Sequence, residues 1–389
     1  MKVAFFSNFL NHHQYPLCEG FLKNKNIQFV FVACSKIPSE RVKMGYKDYT
    51  NHSFVVKEYE EKEVAEQIAT TFDVCIFGAN CEKYVELRMK KNLLTFRYIE
   101  RIFKKGKWRY LIPQVRRKIK KQYLQYKNRK FYILCASGFT SSDLAFCGFP
   151  TSKCLQWGYF PEQSKHTFDV LLRKKTNSDL RIIYVGRLLK LKNVDSVIKA
   201  FRIVSKHRNN IRLDIVGDGP EASHLKKLAS KRKNKIYFHG YKSIEETRQI
   251  IETSNILVLA SNFYEGWGAV VNEAMTSACI PICSHSVGSA PVLINDGSNG
   301  FIFHKGNVKQ LATKIDTAVE NIYGDNSISL NAYNSIKTTW NANVAAARFY
   351  ELCLDMLASN ETKNACFQKY DNGPCSLAKN FSNNWYKKN

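Results

Sequence analysis

A chain of 389 residues exceeds what one hydrophobic core usually organises, so two or three domains are expected. Its 44% hydrophobic and 13% aromatic content excludes wholesale disorder. The formal net charge of +26 implies an anionic partner, whether nucleic acid, an acidic membrane surface or a phosphorylated substrate.

No apolar run approaches the roughly 18 residues of a membrane-spanning helix, and the opening MKVAFFSNFL is too short for a secretory signal. The twelve cysteines form no CxxC pair, and several sit in apolar runs such as FVAC, DVCIF and YILC. Reduced, mostly buried thiols are expected, and with them a cytoplasmic protein.

In chain order, buried strands are predicted at 2–8, 27–34, 72–78, 92–97 and 131–137. These are continuous apolar runs, as parallel strands covered on both faces require. The loop SNFLNHHQYPL follows the first strand, at its carboxyl end. There His12, His13 and Gln14 are candidates for binding an acceptor, and incidental polar residues at a helix start are the alternative. After NLLTFR, Arg97 and Glu100 are acceptor-side candidates as well, against a surface salt bridge.

Residues 101–130 hold thirteen Lys or Arg and no Asp or Glu. Pro113 is a plausible helix start, and Val115, Ile119, Tyr123 and Tyr126 recur at helical spacing. A basic amphipathic helix with Phe103, Trp108 and Tyr110 nearby suits an anionic membrane surface. A merely solvated basic helix is the alternative. Nucleic acid is disfavoured, because no RNP, KH or zinc-knuckle pattern accompanies the charge.

A polar stretch at 161–179, containing Pro161, separates a second strand series at 180–187, 211–219, 235–240, 255–261 and 279–284. Two strand–helix series imply two doubly wound α/β domains. The expected division is 1–160, a linker at 161–179, a second domain at 180–340, a helix at 341–358 that packs back on the first domain, and a polar, loosely held tail at 359–389.

In the second series, Arg187 ends a strand and Lys192 follows five residues on; two cations there suit a diphosphate leaving group. Glu265 precedes a helix that carries Glu273 eight residues later. That spacing separates the carboxylates by roughly 10–12 Å, enough to bracket a sugar and a ribose. Gly266 and Gly268 permit close backbone approach. No Asp-x-Asp pair occurs, so a metal-bridged diphosphate lacks its usual ligands. GDGP at 217–220 lacks the G-x-G-x-x-G pattern, which argues against a dehydrogenase.

The pieces VGRLLKLKNVD, LDIVGDGPEASHLKKLA, IYFHGY, EGWGAVVNEAM and NDGSNGFIF occur in an order and spacing that resembles the donor domain of the retaining glycosyltransferases of family 4. The resemblance covers about 180–304 and implies the GT-B fold, two Rossmann-like domains facing across a cleft. It implies that Arg187 and Lys192 hold a donor diphosphate, that Glu265 sits by the donor sugar and that Glu273 binds the ribose. Backbone amides of Trp267, Gly268, Ala269 and Val270 would cap the diphosphate, and Tyr241 is a candidate for base contact. Asn193, Ser289 and Val292 depart from the usual residues of the motif. The SNFLNHHQ loop resembles that of polysaccharide-assembly members.

The expected activity is therefore metal-independent, retaining sugar transfer in surface polysaccharide biosynthesis. The nucleotide-diphosphate sugar is a substrate, no cofactor is needed, and a glycan, expected to be lipid-linked, is the acceptor. The protein is expected in the cytoplasm, or peripheral on the cytoplasmic face of the membrane through residues 101–130. The rival readings are a nucleotide-sugar epimerase of the same fold and a non-catalytic protein binding anionic lipid or nucleic acid.

Overall fold

The apolar runs form strands because aromatic and β-branched residues pack well on a pleated surface covered from both sides. A computed structural model describes residues 1–43, 45–176, 179–230, 235–358 and 369–387. It divides into two units, Met1–Glu162 with Trp340–Ser382, and Gln163–Thr339 with Asn383–Asn389.

In the first unit the strands are β1 (Lys2–Ser7), β2 (Gln28–Ala33), β3 (Val55–Lys57), β4 (Val74–Phe77), β5 (Thr95–Ile99), β6 (Phe131–Cys135) and β7 (Cys154–Gln156). They make one seven-stranded sheet in the order β3-β2-β1-β4-β5-β6-β7. Every pairing is parallel, and β1 sits between β2 and β4 with Val3 opposite both Phe29 and Val74. The second unit holds β8 (Leu180–Val185), β9 (Ile211–Val216), β10 (Ile236–Gly240), β11 (Ile256–Leu259), β12 (Ile280–Ser284) and β13 (Phe301–Phe303). Its six-stranded parallel sheet runs β10-β9-β8-β11-β12-β13. Winding reverses between β1 and β4 in one sheet and between β8 and β11 in the other. Loops diverge at such points and leave a crevice at the strands' carboxyl ends.

The short strands β3, β7 and β13 were not predicted. Helix Ala342–Ala358 belongs to the first unit, where it packs on helix Tyr15–Leu22. A Cβ on Gly20 would stand 2.9 Å from the Ala342 carbonyl oxygen, so only glycine allows this approach. Phe349 of the returning helix lies edge-on to Phe96 and Phe21.

Two expectations need correcting. The stretch at 161–179 is not all linker, because helix Phe168–Lys174 lies in the second unit with Leu171 buried. The tail is not loosely held where it is described. Gln156 donates to the Ser376 carbonyl at 2.7 Å, Cys375 donates back to Gln156 at 3.0 Å, and Leu377 bridges Leu155, which covers the edge strand β7. Farther on, Trp385 Nε1 donates to the His285 carbonyl at 2.9 Å within the second unit. Polar composition misled because backbone pairing and a few buried or hydrogen-bonded side chains, Cys375, Trp385 and Tyr386 among them, hold these residues. Residues 359–368, 388 and 389 of the expected tail lie outside the described residues.

The basic segment is also placed differently. Helix Pro113–Gln122 starts at its proline, but its apolar stripe faces the first unit's own core. Ile119 and Tyr123 are buried there, with Val115 and Tyr126 packed beside them. What stays apolar and exposed is Trp108 (62%), Leu111 (81%) and Phe146 (51%). Among the described residues no helix is long and apolar enough to cross a membrane. The eleven described cysteines are free thiols, ten of them buried.

One buried cation organises the first unit. Arg88 is wholly buried, and its guanidinium donates to the carbonyls of Ala69, Phe72, Asp73 and Leu94 at 2.7 to 3.1 Å. It thereby caps helix Lys62–Thr71 and fixes the entries to β4 and β5. Arg88→Met leaves buried carbonyls without donors, so it is expected to destabilise the protein by about 3 kcal/mol or more. Urea denaturation checks this, with Arg88→Lys expected to recover part of the loss; an unchanged midpoint in Arg88→Met would contradict the role.

Candidate functional site

Within the second unit, the reversal between β8 and β11 brings two loops together. After β8, Leu188 donates to the Asp218 carbonyl at 2.9 Å, and the loop reaches Asn193, which adopts a left-handed conformation (φ 49°) before helix Val194–Val204. Asparagine tolerates this conformation better than most residues, which accounts for its place where the motif usually has glycine. Its Nδ2 donates to the Ala260 carbonyl at 3.0 Å, and Asn262 donates from its backbone to Leu191 at 2.9 Å. Two hydrogen bonds thus stitch the loop after β8 to the loop after β11.

These contacts place Lys192 against Glu265. The two side chains form an ion pair, and Ser261 donates to the same Glu265 oxygen at 2.8 Å. Both partners are mostly shielded from solvent, so the pair is stronger than an exposed one. Below it, Tyr184 is buried and donates to the Arg187 carbonyl at 3.1 Å; burial and the nearby Glu265 charge raise its phenol pKa. Arg187 itself is exposed, and among the described residues no carboxylate pairs with it. Gly217, after β9, lies so close to Gly186 that a Cβ would meet the Gly186 oxygen at 2.1 Å; with φ at +127° no other residue fits.

Gly266 and Trp267 are buried, and the indole N–H of Trp267 donates to Asn272 at 2.9 Å. Gly268 has φ +87°, and its Cβ would strike Leu259 at 2.9 Å. Gly268, Ala269 and Val270 lead into helix Val270–Thr276, whose first amides have no intrahelical acceptors. Glu273 lies on this helix; burial raises its pKa, and Arg248 opposes the rise. Tyr241 follows β10 and is exposed, two strands from the reversal. The structure therefore joins Lys192, Glu265 and the Gly266–Val270 turn, and leaves Tyr241 apart from them. Ser261 was missed by sequence reading, since a serine closing a strand carries no signal of its own.

In the first unit, the loop after β1 sets His12 against His13, with ring centroids 3.9 Å apart and the planes tilted by 48°. His12 meets Tyr46 at 4.8 Å and His13 meets Tyr159 at 5.8 Å. Tyr159 donates to Glu100 at 3.1 Å, and Lys104 pairs with the other Glu100 oxygen. So His12, His13 and Glu100 are gathered through Tyr159, a residue no local pattern could have marked. Gln14 is committed elsewhere: it accepts from Asn11 at 3.0 Å and donates to Ser7 at 3.3 Å. Arg97 is a correction. It sits inside β5, pairs with Glu82 at 2.7 Å on the face that helix Glu82–Lys90 covers, and does not join the cluster.

Residues 171–335 match the family model described as glycosyl transferases group 1. An uncharacterised glycosyltransferase of Methanocaldococcus jannaschii is 31% identical over 180 residues, 44% of each chain. The capsular polysaccharide biosynthesis glycosyltransferase CapM of Staphylococcus aureus is 23% identical over 194 residues, 49% of this chain and 50% of that protein. The match spans half or less of either relative's own length. The crystal structure of Anabaena HepE in complex with UDP shares the two-sheet GT-B fold. It has a TM-score of 0.68 at 14% identity and covers 91% of this chain and 100% of that one.

Burial and the neighbouring His12 push the His13 pKa from 6.5 down to about 3. The unfolded chain therefore takes up this proton first as pH falls. The contribution of neutral His13 to stability is complete above pH 6.5 and is lost as pH drops toward 3. Urea melts across that range should show a shallower decline for His13→Asn than for the parent; identical pH slopes would count against a buried neutral imidazole.

Proposed function

We propose, from the premise that residues 171–335 match the glycosyl transferases group 1 family model, that this chain transfers a sugar from a nucleoside-diphosphate donor to a glycan hydroxyl with retention at the anomeric carbon. The observation that carries the reading is the fixed Lys192–Glu265–Ser261 group at the reversal of the second sheet, with Arg187 exposed beside it. When the bond from the anomeric carbon to the diphosphate breaks, its electron pair leaves with the phosphate oxygen. Arg187 and Lys192 stabilise that charge, in the way oriented cations stabilise a transition state. Glu265, held by two donors, orients the sugar through its hydroxyls. Glu273 accepts from the ribose, and the Gly268–Val270 amides face the phosphates.

The acceptor hydroxyl forms the new bond to the anomeric carbon, and its proton passes to the departing phosphate oxygen. His13, with a pKa of about 3, is too weak a base at neutral pH to take it. It offers a hydrogen-bond acceptor to the glycan instead. The finer reading is metal-independent transfer to a lipid-linked acceptor in surface polysaccharide assembly, on the cytoplasmic face of a membrane. The resemblance to CapM supports the polysaccharide role. The basic segment 101–130, with Trp108 and Leu111 exposed in it, supports the membrane.

Glu265→Gln is expected to lower the transfer rate roughly 10²-fold, and Arg187→Ala to weaken nucleoside-diphosphate binding about tenfold. Steady-state assays over a panel of sugar nucleotides and titration calorimetry read the two effects. Undiminished transfer by Glu265→Gln would remove the reading, as would rapid release of free or epimerised sugar when the acceptor is omitted. For the membrane, wild-type protein should sediment with phosphatidylglycerol vesicles, and the double variant Trp108→Ser, Leu111→Ser should remain largely in the supernatant. Equal pelleting of the two would refute docking through these residues.

A further inference from the structure

We infer that a groove in the first unit, between helix Glu82–Lys90 and helix Pro113–Gln122, is a binding site for a phosphodiester anion. The groove encloses about 190 Å³ and opens on the face of the sheet that helices Glu82–Lys90 and Pro113–Gln122 cover, with Arg97 at its base. Side chains alternate along a strand, so Arg97 points to this face while Tyr98 points to the other, where it meets Phe5 and Tyr159. This places the groove apart from the His12, His13 and Glu100 cluster. It also lies in a different unit from the Lys192–Glu265 group. The inference does not rest on the sugar-transfer reading.

The first observation is an unspent donor. Arg97 is 6% exposed, and Nη2 is paired with Glu82, but Nη1 is buried and makes no hydrogen bond in the structure. The Tyr123 hydroxyl is a further polar neighbour of the same guanidinium from the core side; burial raises its phenol pKa, and its contact with the Arg97 charge draws it back down. A buried N–H of a charged group without an acceptor is costly, and an anion in the groove supplies one.

The second observation is the balance of charge around that donor. The groove is lined by three cations, Arg97, Lys118 and Lys121, and by two carboxylates, Glu82 and Glu86. Both carboxylates are already committed. Glu82 accepts from Arg97 and, at 3.2 Å, from Gln122, while Glu86 pairs with Lys121 at 3.1 Å. Lys118 has no carboxylate partner among the described residues, so it and Arg97 Nη1 are left for a ligand. One unit of positive charge remains uncompensated. That matches the single charge of a phosphodiester better than the nearly double charge of a phosphomonoester. Val85 and Tyr126 form an apolar wall on which an ester substituent can lie.

A phosphodiester reaches such a groove either as a soluble molecule or as a phospholipid headgroup. The test uses the full-length protein with excess nucleoside diphosphate present, so that any phosphate binding at the Lys192–Glu265 group does not contribute. Calorimetric titration with dimethyl phosphate represents the soluble source. Dihexanoyl phosphatidylglycerol, below its micelle concentration, represents the headgroup. We expect saturable, one-to-one binding of at least one of them, weakened roughly tenfold in both Arg97→Lys and Lys118→Ala. Arg97→Lys keeps a cation for Glu82 but removes Nη1. Lys118 is exposed, so Lys118→Ala tests the site without risk to the fold. Binding of dimethyl phosphate alone supports a soluble ligand, and tighter binding of the lipid supports a headgroup. Absence of saturable binding of either probe to the wild-type protein overturns the inference. So does equal binding by wild type and Lys118→Ala.

Discussion

The ion pair between Lys192 and Glu265 is the contact on which the second unit's site depends. It joins loops whose sequence positions are 73 residues apart, and neither loop could hold its charged residue in place alone. Asn193 to Ala260 and Asn262 to Leu191 fix the backbones, and Ser261 fixes the carboxylate. The parallel sheet makes this possible, because β8 and β11 are neighbours at the point where winding reverses. A crevice of this kind costs the fold little, since loops must diverge there in any case.

The strands in the sheet interiors were legible because each is a continuous apolar run. The three that escaped, Val55–Lys57, Cys154–Gln156 and Phe301–Phe303, are three residues long and lie at or beside sheet edges. A run so short carries no period, and tertiary pairing alone makes it a strand. The Lys192–Glu265 association was approached through motif order rather than through any local pattern. Nothing in the sequence says that the two side chains touch.

The first unit was harder to read for a physical reason. Arg97 and Glu100 are three residues apart, yet one lies inside β5 and the other beyond its end. Their side chains consequently serve different faces of the sheet. Strand alternation decides this, and a shift of one residue in the assumed strand end reverses the answer. The helix Pro113–Gln122 posed the opposite difficulty. Its apolar stripe was visible, but a stripe does not say whether a membrane or the protein's own core will cover it. Ile119 and Tyr123 went to the core.

Net charge was therefore an imperfect guide to where anions are bound, because many cations are consumed in holding the fold. Arg88 donates only to backbone carbonyls and a threonine hydroxyl. Lys175 is buried on the carbonyls of Glu252 and Ser254. Arg101 is buried against Asp143, whose pKa burial raises even though Arg101 pulls it down. All three are committed to partners inside the fold. The useful distinction is between a cation whose donors are spent and one whose donors are not, since only the latter gains a hydrogen bond when an anion arrives. By that criterion Arg187, exposed beside a fixed carboxylate, and Arg97, buried with Nη1 unspent, stand apart from the basic excess. The chemistry at each follows from the side chains around it, and not from the total of +26.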